Sequence, residues 1–172
     1  MSFLKRIFGD RHKRAALLPL YTAIVAAGRE PAWYREGQVP DTLDGRFDMI
    51  AALTSLVLLR LEAAGDEGRA PSALLTETFI DDMDATLRQI GVGDYVVGKH
   101  VGRMMSALGG RLGALREGRA DGDLAGAVRR NVFHDAPPSE AAVAWVAARL
   151  DAFADALAEA PLADLIAGRL PA

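Results

Sequence analysis

The chain lacks cysteine altogether and has only three histidines, which lie far apart at positions 12, 100 and 134. Without a thiol it can form no disulfide, no thiolate metal site and no cysteine nucleophile. Zinc sites use several nitrogen or sulfur ligands at close spacing, and these histidines do not provide that spacing. We therefore expect no metal and no cofactor.

An excess of positive charge and a long apolar run are also missing. Twenty Lys and Arg residues against 23 Asp and Glu give a formal charge of -3, whereas DNA-binding proteins usually present a basic face. A membrane-spanning helix needs about 20 consecutive apolar residues. Residues 15–28 are interrupted by Pro19, and residues 49–59 lie between Asp48 and Arg60. We expect no DNA partner and a cytoplasmic location.

No segment shows the apolar alternation of a half-buried strand, and apolar residues recur at helical spacing instead. The length of 172 residues, 51% of them hydrophobic, suits one domain with a sizeable core. We predict an all-α fold, a single compact helical domain of about six to seven helices over residues 15–172. An irregular loop over residues 31–45, anchored by Trp33 and Tyr34, is expected between the first two long helices.

Caps, glycines and prolines predict where the helices begin and end. The second long helix has apolar residues around most of its circumference, which predicts a central, buried position. Ser72 and Asp94 are expected to cap the third and fourth helices. The predicted helices span residues 15–27, from 46 or 47 to about 61, 72–90, 95–116, a short stretch within 124–131, and a final amphipathic helix from 139, followed by one more turn after Pro161.

Residues 1–14 differ from the rest because apolar and basic side chains interleave around a single acid, Asp10. Such a segment can lie on an anionic membrane surface, with apolar groups at the headgroup boundary and cations near lipid phosphates. A frayed terminus is the alternative. The residues predicted to contact the inner membrane are Phe3, Leu4, Lys5, Arg6, Ile7 and Phe8.

Three acids, Asp81, Asp82 and Asp84, allow two interpretations. Enzymes of isoprenoid diphosphates hold magnesium with carboxylates one helical turn apart, but position i+4 from Asp81 is Ala85. Helical geometry also places Asp82 about 160° from Asp84, so the three carboxylates do not converge on one ion. We favour a solvated helix face on which Asp84 pairs with Arg88 at i, i+4.

Small residues recur along the fourth helix, at Gly98, Gly102, Ser106, Gly109 and Gly113. Each glycine lowers helix stability by about 1 kcal/mol relative to alanine. Close approach of a neighbouring helix is the explanation we favour, and a smooth groove for a partner helix is the alternative.

The ordered set of these motifs resembles the ubiquinol-cytochrome c chaperone family, the assembly factors of cytochrome b in respiratory complex III. Within residues 20–132 the chain departs from the family pattern at Ala52-Leu53-Thr54, where a histidine is expected, and at Leu108-Gly109, where aromatics usually precede Gly110-Arg111. The motifs that carry the resemblance are Tyr34, Val39-Pro40-Asp41-Thr42, Asp44-Gly45-Arg46-Phe47-Asp48, Asp82-Met83-Asp84, Leu87-Arg88, Gly91-Val92-Gly93-Asp94, Lys99, Gly110-Arg111 and Arg130-Asn131.

The resemblance implies a non-enzymatic helper that holds newly made cytochrome b until haem and partner subunits join. It also implies a bacterial member whose mitochondrial relatives act with a partner factor and near the ribosome. We predict a client surface that combines residues 33–47 with residues 82–99. Its predicted contact residues are Tyr34, Arg46, Asp82, Asp84, Arg88, Asp94, Lys99, Arg103 and Arg111.

Two alternatives to this function remain at the sequence level. One is an all-α, metal-dependent enzyme of isoprenoid diphosphates; the other is a helical interaction domain with another client, such as a different membrane protein. The chain has no glycine-rich phosphate loop and no serine in an elbow motif, so we name no catalytic residue.

Overall fold

The computed structural model describes residues 3–89, 97–133 and 138–171, with side chains over 16–86, 88, 102, 105–133 and 138–171. These ranges contain helices and no strand, which confirms the predicted all-α class. The helices are α1 (Phe3–Gly28), α2 (Pro31–Arg35), α3 (Leu43–Ala63), α4 (Asp66–Gln89), α5 (Val97–Asp121), α6 (Leu124–Val128), a π-helical turn (Arg129–Phe133), α7 (Glu140–Glu159) and α8 (Leu162–Ile166).

Helix α3 is the centre of the fold, as its apolar circumference predicted. It packs against α1, α4, α5 and α7, and residues 48–58 are all buried. Side chains of the surrounding helices join it in one hydrophobic core.

Several predicted boundaries were wrong, and the cause is local turn geometry. The break predicted over residues 65–71 is a two-residue turn, because Gly65 reverses the chain at a φ of +64°. Helix α4 therefore begins at Asp66 and includes Pro71, so Ser72 does not cap it. Helix α5 continues past residue 116 to Asp121, and α1 begins at Phe3 rather than at residue 15.

The predicted turn over residues 91–94, with the cap at Asp94, lies outside the described residues. The predicted boundary between residues 14 and 15 falls within α1. In the C-terminal part, the Ser139 hydroxyl accepts a hydrogen bond of 3.2 Å from the Ala142 N–H at the start of α7. The short helix predicted after Pro161 is α8, which packs against α1.

Gly102, Gly109 and Gly113 of α5 do not have the role we favoured, which was to allow close approach of a neighbouring helix. A Cβ built on Gly102, Gly109 or Gly113 would meet no atom of the described chain within 4 Å. Gly102, Ser106 and Gly109 are exposed. Close helix approach is therefore wrong for these three glycines, which lie on an open face.

Candidate functional site

The irregular loop predicted over residues 31–45 is shorter than expected, because α2 (Pro31–Arg35) forms at its start and α3 begins at Leu43. Two aromatic side chains fix α2 against the end of α1, so the predicted anchoring by Trp33 and Tyr34 is confirmed. The indole N–H of Trp33 donates to the Ala27 carbonyl (2.8 Å), and the Tyr34 hydroxyl donates to the Gly28 carbonyl (2.6 Å). Carbonyls at a helix C-terminus have no partner within their own helix, so these bonds also satisfy the end of α1. Burial raises the pKa of Tyr34, which keeps its hydroxyl protonated as a donor.

The first turn of α3 is set by Thr42 and Gly45. The Thr42 hydroxyl accepts from the Gly45 N–H (3.1 Å), which is the N-cap bond that starts a helix. A Cβ on Gly45 would lie 2.0 Å from the Pro40 carbonyl oxygen, so only glycine allows the loop to cross here. Helix α3 consequently starts at Leu43, earlier than residue 46.

This turn brings Arg46 back over the preceding loop. Its guanidinium Nε donates to an Asp41 carboxylate oxygen at 2.7 Å, and both side chains are more than half exposed. The hydrogen bond from Arg46 lowers the pKa of the Asp41 carboxyl below its ordinary value. An ion pair this exposed contributes little to stability, so Arg46 remains available to another anion.

An apolar cavity of about 220 Å³ opens between α1, the start of α3 and the last turns of α4. We call it the apolar cavity. Ile50 and Met83 are buried beneath it, whereas Leu43 is 53% exposed. An exposed leucine beside an open apolar hollow is more informative than a lone surface leucine, since contiguous exposed apolar surface marks a candidate contact site. The lining residues are Arg29, Leu43, Asp44, Arg46, Phe47, Ile50, Asp82, Met83 and Thr86.

A second cavity of about 300 Å³ adjoins the first and shares Arg29 and Arg46 with it. We call it the arginine cavity. Its remaining lining residues are Pro31, Tyr34, Arg35 and Asp41. Three arginines and one aspartate therefore line this cavity, which makes this end of the site basic.

The acids of α4 are divided between separate partners. Asp82 accepts a 2.7 Å hydrogen bond from the Tyr21 hydroxyl of α1, while Asp84 pairs with Arg88 at 2.8 Å. The predicted i, i+4 pair is thus confirmed. Burial of Tyr21, reinforced by the bond to Asp82, raises the tyrosine pKa well above its ordinary value. No group of three or more His, Asp or Glu within the described ranges could hold a metal ion.

Arg111 lies inside the protein rather than at its surface. It pairs with Asp48, and both residues are less than 8% exposed. Its guanidinium also lies 5.2 Å from the centre of the Phe47 ring, which is 5.9 Å from the ring of Phe79. Since Phe47 lines the apolar cavity, Arg111 supports the cavity wall from behind.

The structure brings together three of the predicted contact residues. Tyr34, Arg46 and Asp82 line the two adjoining cavities. Asp84 and Arg88 lie on the same helix as Asp82 but line neither cavity. Side chains beyond the described ones are those of Asp94, Lys99 and Arg103, and of the membrane-contact set Phe3, Leu4, Lys5, Arg6, Ile7 and Phe8.

The sequence did not identify Arg29 or Leu43 as residues of the site, or Asp48 as the partner of Arg111. Nothing in the local sequence distinguishes Arg29 or Leu43, because only the packing of α1 against α3 and α4 places them together. Asp48 did carry a signal, since a carboxylate within a buried helix requires a compensating partner. The buried cation opposite it is Arg111.

No helix in the described part of the chain is both long and apolar enough to cross a bilayer. Residues 35–171 match the family model described as ubiquinol-cytochrome C chaperone. Among solved structures, the chain is similar to the crystal structure of the Cbp3 homolog from Brucella abortus. The two are 30% identical with a TM-score of 0.80, over 98% of this chain and 95% of that one. None of the curated proteins compared with the chain matches it significantly.

Proposed function

Since the chain belongs to the ubiquinol-cytochrome C chaperone family, we propose that it binds newly made cytochrome b. In this role it supports assembly of ubiquinol-cytochrome c reductase without catalysing a reaction. The observation that carries the proposal is the family match over residues 35–171, which includes the loop, α3 and Arg111. The similarity to the Brucella abortus structure extends over nearly the full length of both chains and supports the same role.

The client surface that we propose centres on the apolar and arginine cavities. Tyr34, Arg46 and Asp82 contribute to it from α2, α3 and α4. Arg111 acts indirectly by holding Phe47 in the cavity wall. Asp84 and Arg88 extend the proposed surface along α4, and we keep Asp94, Lys99 and Arg103 as predicted contact residues.

The N-terminal segment indicates where in the cell the protein would meet its client. New transmembrane segments emerge at the membrane surface, and residues 3–8 combine apolar and basic side chains suited to an anionic bilayer. We propose peripheral contact with the inner membrane, near the ribosome. Replacing Ile7 and Phe8 with aspartate should reduce co-sedimentation with anionic vesicles, and unchanged co-sedimentation would contradict this contact.

The enzyme alternative gains no support from the site. Asp82 is bonded to Tyr21, and Asp84 is paired with Arg88, so these two acids of α4 serve different contacts. The hydrogen bond to Asp82 and the ion pair of Asp84 account for both acids without a diphosphate ligand.

Deletion of the gene in its host tests the proposed function. We expect loss of the membrane-bound b-type haem spectrum together with ubiquinol-cytochrome c reductase activity, and recovery of both with the wild-type gene. Deletion that leaves both signals at the wild-type level would mean that cytochrome b is not the essential client.

A further inference from the structure

Resting on the proposed function, we propose that the two adjoining cavities recognise a composite feature of a polypeptide. This feature is an apolar side chain followed closely by a carboxylate. The apolar side chain enters the apolar cavity, and the carboxylate binds in the arginine cavity. The site thereby selects acidic-apolar segments, such as those that border the membrane-spanning parts of a client, from purely apolar ones.

The apolar cavity suits one large side chain. Its volume of about 220 Å³ is below the range of about 300–1,000 Å³ that is typical of small-molecule sites. Ile50 and Met83 form a buried floor, while Leu43 stands exposed at the rim, where it can close over an inserted group. Anchoring by a single apolar residue in such a hollow is a common mode of protein recognition.

Charge complementarity identifies the second part of the ligand. Arg29 borders both cavities and forms no ion pair with a described residue. The charged contact of Arg35 is a 3.8 Å approach to Glu36, and both side chains are more than half exposed. Arginine presents a planar fork of donors that matches a carboxylate. A ligand carboxylate can therefore bind here without displacing a strong internal pair.

The acids around the site give the ligand a direction. Asp44 and Asp82 lie at the apolar cavity, whereas Asp41 is the acid of the arginine cavity and already accepts from Arg46. Arg29 and Arg46 border both cavities, so the first end has two arginines with two aspartates and the second has three arginines with one aspartate. A carboxylate is therefore attracted more strongly to the second end, which favours one orientation of an acidic-apolar segment.

A polypeptide fits these features better than a lipid headgroup does. An acyl chain needs a long apolar channel, but this cavity is short and has two carboxylates, Asp44 and Asp82, at its border. Those carboxylates also oppose close approach to an anionic bilayer.

Direct binding of small peptides to the full-length protein tests the inference. The probe is the tripeptide leucine-glycine-glutamate, blocked at both ends, with binding followed by NMR chemical-shift changes. Glutamine replaces glutamate in one control peptide, and alanine replaces leucine in the other. We expect the probe to bind about fivefold more tightly than either control, the gain available from one partly exposed ion pair or one anchored side chain.

Two variants separate the parts of the site. Arg29→Gln should lower the preference for glutamate over glutamine, with Arg35 and Arg46 still lining the arginine cavity, but keep the preference for leucine over alanine. Leu43→Ser should abolish the preference for leucine over alanine but keep the preference for glutamate over glutamine. Arg69→Gln is the matched control, because Arg69 is 83% exposed and pairs with Asp66 far from the site. It should bind all three peptides as the wild type does.

Equal binding of the three peptides to the wild-type protein would overturn the inference. Binding of anionic lipid vesicles that is lost in Arg29→Gln would also overturn it, in favour of a membrane headgroup site. These results do not depend on the gene deletion. A negative peptide result with loss of the reductase on deletion would reject the composite site alone, and the opposite pair of results would reject the proposed client.

Discussion

The pair of Asp48 and Arg111 shows how the role of one residue depends on its surroundings. Arg111 was predicted either to hold the client surface or to contact the client, and it is buried against Asp48 and the Phe47 ring. The attraction between two buried charges does little more than offset the cost of removing both from water. Removing only one of them is strongly destabilising, because the other charge stays buried without its partner. The pair therefore fixes where α5 meets α3 and, through Phe47, the shape of the apolar cavity.

Substituting one member of this pair should destabilise the protein strongly. We expect Arg111→Met to lower the free energy of unfolding by about 3–5 kcal/mol, because it leaves Asp48 buried without this cation. The double variant Asp48→Leu with Arg111→Met should recover most of that loss. Urea denaturation measures both. Arg116→Met is the control, since its pair with Glu62 is half exposed and should contribute less than about 1 kcal/mol. A double variant as unstable as the single one would contradict this account.

Because Tyr21 is buried, we predict that the folded protein loses stability at alkaline pH. Burial holds its folded-state pKa above the ordinary value of 10.0, so the unfolded chain releases this proton first. The stabilisation is complete below the unfolded pKa and declines as the pH rises towards the folded one. Each unit above about pH 10 should cost the wild type about 1.4 kcal/mol more than Tyr21→Phe.

Urea unfolding between about pH 9 and about pH 11 provides the measurement. Tyr34→Phe is the comparison, because burial raises the pKa of Tyr34 too but leaves it more exposed than Tyr21. Parallel pH profiles for wild type and Tyr21→Phe would show that the hydroxyl is not protected by the fold.

At the scale of elements, glycine has opposite roles in α3 and α5. On α5, a Cβ at Gly102, Gly109 or Gly113 would meet no described atom within 4 Å, so these three glycines lower helix stability without permitting a close contact with described residues. In the first turn of α3, Gly45 is required by the Pro40 carbonyl. The same residue type therefore marks a tight crossing in one helix and an open face in the other.

Alanine substitutions should distinguish these roles. We expect Gly109→Ala to raise the free energy of unfolding by about 0.5–1 kcal/mol, because alanine is the better helix former. Gly45→Ala should lower it, since the new methyl group would force the loop away from α3. Thermal or urea unfolding of the two variants measures both changes in the free energy of unfolding. Destabilisation by Gly109→Ala would show that the face is covered.

At the scale of the whole molecule, the site exists because three distant segments meet. The end of α1 supplies Arg29, the start of α3 supplies Leu43 and Arg46, and α4 supplies Asp82. The hydrogen bond from Tyr21 to Asp82 joins α1 to α4 directly. Such a site is suited to a partner that must touch several elements at once.

Leu43→Glu tests the proposed client surface in the cell. The substitution should leave the melting temperature nearly unchanged, because Leu43 is exposed and acids are favourable in the first turn of a helix. It should nevertheless lower the recovery of ubiquinol-cytochrome c reductase activity when expressed in the deletion strain. Ala144→Glu, at an exposed position on α7, is the control, because α7 contributes no residue to the proposed surface. Loss of recovery with Ala144→Glu alone would place the client surface on α7 instead.

The sequence by itself determined the all-α class, the buried position of α3, the aromatic anchors of α2 and the Asp84–Arg88 pair. Each of these depends on periodicity, on a cap or on neighbours one helical turn apart, which are local properties of the chain. The motifs from residue 34 to residue 131 also pointed to the family that the comparisons show.

Only the tertiary structure decided the burial of Arg111, the open face of α5 and the joining of Arg29 with Leu43. These depend on which helix packs against which, over separations of up to 63 residues in the case of Asp48 and Arg111. A charged residue looks the same in sequence whether water or an opposite charge surrounds it. Its environment is a property of the assembled helices, and that environment separates a supporting residue from one that contacts a client.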